Sequence, residues 1–140
     1  MRLVAGDVGG DDVLVLAVEG DGEGSAAENS AQGGVVAGMI AGELGGKVAA
    51  LVQLAAAAVL RDDALQGVLM GKHYDPQNPP EKLTVFFHKV GRGYFTVARS
   101  LPIYETSARY EGPVCLVHGK EDTIVPYSYS EKYHETYKDS

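Results

Sequence analysis

The stretch that decides the fold is Ala31-Gln32-Gly33-Gly34-Val35-Val36-Ala37-Gly38-Met39-Ile40-Ala41-Gly42-Glu43-Leu44, followed by Gly45-Gly46-Lys47 and Val48-Ala49-Ala50-Leu51-Val52-Gln53-Leu54. Val35, Met39, Ile40 and Leu44 recur on a helical period, and the two glycines after Leu44 are a C-cap signal. The apolar run Val48 to Leu54 reads as a buried strand. A turn, a helix and a strand in that order predict an α/β fold with a parallel sheet and flanking helices.

Working outward, Val13-Leu14-Val15-Leu16-Ala17-Val18 is a near-continuous apolar run, the pattern of a strand buried on both faces. It stops at Gly20-Asp21-Gly22-Glu23-Gly24-Ser25, a flexible turn-forming stretch. That stretch lacks the lysine and the glycine spacing of a phosphate loop, and Asp21 and Glu23 would repel phosphate. Pro113 to His118 reads as a third buried strand, after which Gly119-Lys120-Glu121-Asp122 turns outward. Ser128 to Tyr137 reads as a polar helix whose tyrosines include an i, i+4 set, the mark of a docking face. Between these elements, Leu60 to Tyr110 is punctuated by Asp62-Asp63, Tyr74-Asp75-Pro76, Asn78-Pro79-Pro80 and Gly91-Arg92-Gly93. It is expected to be mostly irregular, with short helices near 61–68 and 93–100, and to act as a cap over a site. The whole chain, 1–140, is expected to form one domain with this cap-like insertion at about 60–110.

Composition sets bounds on partners. The net charge is −7, which argues against a nucleic acid partner. With 45% hydrophobic and 22% charged residues the chain has the make-up of a soluble globular protein. No apolar run reaches the roughly 18–20 residues that span a bilayer, and no signal peptide is recognised, so a cytoplasmic location is expected. Cys115 is the single cysteine, which excludes an intrachain disulfide and argues against a cysteine metal site. The eight tyrosines and three phenylalanines all lie from Tyr74 onward, whereas twelve of the 18 glycines fall within residues 1–46. The first half is therefore a weak core-former. It is a small-residue layered region, a piece without its partner segments, or a stretch whose residues were assigned as Ala or Gly by default.

Chemistry concentrates at Asn29-Ser30-Ala31-Gln32-Gly33-Gly34, which has the layout of a nucleophile elbow. That device holds a serine on a sharp strand-to-helix turn, with small residues around it because larger side chains would collide. The run Gln32 to Met39 resembles the elbow helix of α/β-hydrolase cinnamoyl (feruloyl) esterases, and the resemblance continues through Ala49 to Ala58 and Asp63-Ala64-Leu65. Tyr74-Asp75-Pro76-Gln77-Asn78-Pro79-Pro80 and Leu101-Pro102-Ile103-Tyr104-Glu105 are similar to the insertion of that family. Gly112 to Pro126 is similar to its acid-bearing strand and loop. The resemblance spans about residues 31–140.

This resemblance implies a carboxylic-ester hydrolase using serine acyl transfer, small aromatic or acyl esters as substrates, and no metal or organic cofactor. Asp122 would be the acid that orients a histidine, and the backbone N–H of Gln32 would hold the oxyanion. Asp63 and Tyr104 would meet the substrate's phenolic ring from the insertion. The nucleophile position falls on Ala31, which has no hydroxyl and forms no acyl-enzyme. Ser30 stands one place early and would substitute only if the turn shifted by one residue, which would aim it away from the helix start. His73, His88, His118 and His134 do not fill the role of proton carrier, which the family places on a loop well beyond the acid. The fold is thus expected to be truncated and catalytically incomplete, with three or four strands whose open edges invite homo-oligomer formation. The competing reading is a non-catalytic binding or self-association module derived from a hydrolase.

Overall fold

Residues 2–4, 14–19, 26–85 and 88–138 are described by the computed structural model, with side chains from residue 32 onward except at 86–88. The Gly20–Ser25 turn and Val13 lie outside the described residues.

β1 (Arg2–Val4) pairs antiparallel with β2 (Leu14–Glu19). α1 (Ala26–Leu44) follows, then a 3-10 turn at Gly45–Lys47 and β3 (Val48–Leu54). Gly45 makes that exit with φ +55, the left-handed conformation a helix C-terminus favours. β3 runs parallel to β2, and β8 (Val114–Val117) runs parallel to β3, so the sheet order is β1-β2-β3-β8. The parallel α/β architecture read from residues 31–54 is therefore present, extended by one antiparallel strand.

Small residues let α1 lie unusually close to its neighbours. A Cβ at Gly34 would come within 2.9 Å of the Ala56 Cβ, and one at Gly42 within 2.0 Å of the Thr106 carbonyl oxygen. α4 (Ile103–Ser107) is thus seated backbone-to-backbone on α1. Val35, Ala37, Ala41, Leu51, Ile103 and Tyr110 are buried around this seam. Each large apolar side chain buried here contributes about 1.5–3 kcal/mol. The expected docking face of α5 (Ser128–Thr136) is also present: Tyr133 and, just beyond the helix, Tyr137 are buried, and their rings stack 5.8 Å apart at 11°. Burial raises both phenols, Tyr137 to about 12.

Two expectations are corrected. The strands are not covered on both faces: Val48, Leu51 and Gln53 are buried, but Leu54 and Val117 are 42% and 51% exposed and Cys115 is exposed. A continuous apolar run does not distinguish one covered face from two. The insertion is also shorter and more regular than about 60–110. It is a separate unit, Val59–Leu101, while α4 belongs to the unit formed by 1–58 and 102–140.

Within the inserted unit, α2 (Val59–Gln66) leads into the hairpin β4 (Val68–Leu69) and β5 (Lys72–His73). Met70 and Gly71 form its two-residue turn with φ +49 and +78, the positive values a tight hairpin needs. A second hairpin joins β6 (Lys82–Val85) to β7 (His88–Gly91) and leads into α3 (Arg92–Ala98). Lys72 donates from Nζ to the Thr84 carbonyl at 2.6 Å, which ties the two hairpins together. Phe95 is buried, with the Tyr74 ring 4.5 Å and the Tyr94 ring 5.8 Å away.

Candidate functional site

In a parallel sheet the loops that follow the strands gather at one edge, where α/β proteins place their chemistry. Here that edge carries the start of α1, residues 55–58 after β3, and residues 118–127 after β8. Hydrogen bonds stitch these pieces together. The Ala55 N–H donates to the Val117 carbonyl at 2.8 Å, and Gln53 Nε2 donates to the Gly34 carbonyl at 2.7 Å. Ala55 adopts φ +43 to turn the chain off β3.

Asp122 stands in the loop after β8. Its Oδ1 accepts the N–H groups of Ile124 and Val125, both at 2.9 Å. Its Oδ2 lies 3.6 Å from His118 Nε2, and the side chain is 25% exposed. The Val125 amide above all, with the Ile124 amide adding to it, holds the carboxyl below the usual aspartate range. At neutral pH this is a carboxylate with one oxygen saturated by backbone and the other open to a donor.

The His118 side chain is 1% exposed, with Nδ1 2.5 Å from Ser130 Oγ and Nε2 2.8 Å from the Val125 carbonyl. Both ring nitrogens are engaged, so His118 carries no proton to a substrate. Although Ser130, His118 and Asp122 are neighbours, Ser130 is buried and the carboxylate sits on the wrong nitrogen for a triad. His73 is exposed on β5 and His134 is exposed on α5.

The other end of the expected site differs. Asn29 to Gly34 do not make a bend; they lie inside the continuous helix Ala26–Leu44. Only the first four amides of a helix lack an intrahelical partner, and Gln32 is the seventh residue of α1. Its N–H is committed to the helix and does not point at an oxyanion. Ser30 and Ala31 are helical as well. The physical reason is compositional: Ala26, Ala27, Glu28, Ala31 and Gln32 favour helix, and the position before Ser30 is Asn29 rather than the glycine an elbow uses.

Asp63 and Tyr104 fall in different units. Asp63 is half-buried on α2, and burial, then Asp62, pushes its carboxyl up. Tyr104 lies on α4, outside the insertion to which the resemblance assigned it. Its ring packs 4.9 Å from that of Tyr133, with the Lys132 ammonium 4.3 Å from its centroid. Among the described residues, no group of three or more His, Cys, Asp or Glu side chains could hold a metal ion, and no helix is long and apolar enough to cross a membrane.

Sequence reasoning missed Ser130 and Gln53. Gln53 was visible as the lone polar residue in an apolar strand, whereas Ser130 gave no signal within a polar helix.

A sheet of three parallel strands and one antiparallel strand with flanking helices is similar to part of the α/β-hydrolase fold. The chain is similar to the feruloyl esterase Est1E from Butyrivibrio proteoclasticus, with 32% identity and a TM-score of 0.74 over 78% of its own length. The structure of Est1E with ferulic acid bound is matched at the same identity and TM-score. The chain spans less than half of Est1E, 45% and 44% in the two structures. No model of a protein family matches the sequence, and no curated protein does.

Proposed function

We propose that this chain is an ester-binding α/β hydrolase of the feruloyl-esterase type, whose ligands are small aromatic or acyl esters and which has no turnover because position 31 is an alanine within a continuous helix rather than a serine on an elbow. The observation that carries this reading is the Asp122 carboxylate, braced by two amides at the carboxyl edge of parallel strands, in a fold similar to one that binds ferulic acid. Relatives with a serine at the place of Ala31 would attack the ester carbonyl, hold the oxyanion with backbone amides and release the acid by water attack. In that scheme Asp122 keeps an imidazole oriented and stabilises its charged form.

Titration calorimetry with ferulate and ethyl ferulate, run beside a p-nitrophenyl acetate assay, tests the reading. Saturable heat without a p-nitrophenolate burst is expected. Absence of binding to either compound contradicts the ligand class, and a burst abolished by Ser30→Ala contradicts the loss of turnover.

A second reading, self-association, is favoured by the open sheet face at Leu54, Cys115 and Val117. Sedimentation velocity over a concentration series separates the two: a single slow species removes it.

A further inference from the structure

The geometry points to Ser130 and His118 as positioning residues that keep one oxygen of Asp122 available. This rests on the reading of Asp122 as the acid. It begins from a donor count. The Val125 carbonyl cannot donate, so His118 Nε2, 2.8 Å away, must carry the hydrogen. On the uncharged ring Nδ1 is then an acceptor, and Ser130 Oγ, 2.5 Å away, donates to it. Ser130 comes from α5 and His118 from the end of β8, so the pair also fastens the helix to the strand across the loop between them.

The consequence falls on Asp122. Its Oδ2 is 3.6 Å from His118 Nε2, beyond hydrogen-bond range, because the Nε2 hydrogen is directed to Val125. Oδ1 is saturated by Ile124 and Val125. The arrangement therefore reserves Oδ2 for an outside N–H donor of imidazole type. If the Ser130 hydroxyl is removed, Nδ1 loses its donor in a buried place. The ring is then no longer held, and its Nε2–H is free to leave the Val125 oxygen for Oδ2, which is 0.8 Å farther away.

The test is magnetic resonance of the full chain labelled with 15N at histidine and 13C at aspartate carboxyls, near neutral pH. Wild type is expected to show the Nε2–H tautomer at His118, with Nδ1 as a hydrogen-bonded acceptor. Ser130→Ala is expected to shift both the His118 ring nitrogens and the Asp122 carboxyl carbon, and Ser130→Thr to restore both. An Nδ1–H tautomer in wild type overturns the proposal without needing any variant. So does a Ser130→Ala spectrum in which Asp122 stays unchanged. Neither readout involves an ester, so this proposal and the ester-binding reading fail separately.

Discussion

The two ends of the expected site, the acid loop at 118–130 and the elbow at 29–34, were both read from the sequence but have different fates in the structure. The acid loop is built from contacts among residues no more than 12 positions apart: His118 with Ser130 and Val125, and Asp122 with Ile124 and Val125. Such a loop carries its own geometry. The elbow is a strained turn that persists only where its surroundings over-determine it. Without a leading glycine, and with helix-favouring residues on both sides of Ser30, the backbone takes the helical solution. Locally closed chemistry survives a change of context that strained chemistry does not.

The largest expected effect breaks the seat of α4 on α1, the helix that carries the elbow end. Gly42→Ala places a Cβ 2.0 Å from the Thr106 oxygen, which is backbone and cannot yield cheaply. Overpacking outweighs the helix propensity gained, and chemical denaturation should show a net loss of about 2 kcal/mol. Next, Asp122→Ala strips the acceptor from two amides at the partly exposed acid loop. A loss of about 1 kcal/mol is expected, with faster amide exchange at Ile124 and Val125 and little change in α1.

The acid loop should also have a pH signature. The Asp122 carboxyl is depressed in the folded state, so its contribution to stability is complete above the ordinary aspartate value of about 4. It fades as pH falls from there through the lower folded value. Denaturation midpoints from pH 6 down to 2 should therefore fall less steeply in Asp122→Asn than in wild type. At the small end, Ala31→Ser should change stability by less than about 0.5 kcal/mol and give no p-nitrophenyl acetate burst, because a hydroxyl inside a helix gains no oxyanion amide.

The difference also explains what the sequence made legible. The apolar runs Val48–Leu54 and Pro113–His118 announced two strands, and the glycine pair after Leu44 announced the end of α1. The hairpins β4–β5 and β6–β7 were not legible, since strands of two to four residues are too short for a period to stand out, even where Lys82-Leu83-Thr84-Val85 alternates. Their turn at Met70-Gly71 carries one glycine where two positive φ values occur. The open sheet face was hidden because Leu54 and Val117 look like core residues in the sequence. Ser130 became visible only when folding brought it to His118, twelve positions away.

The contrast is tested most directly by the Cα and Cβ secondary chemical shifts of Glu28 to Gly34. An unbroken helical signature through Asn29, Ser30 and Ala31 is predicted. An extended residue followed by a left-handed one at Ser30 or Ala31, with helix resuming at Gln32, would restore the elbow and contradict the account.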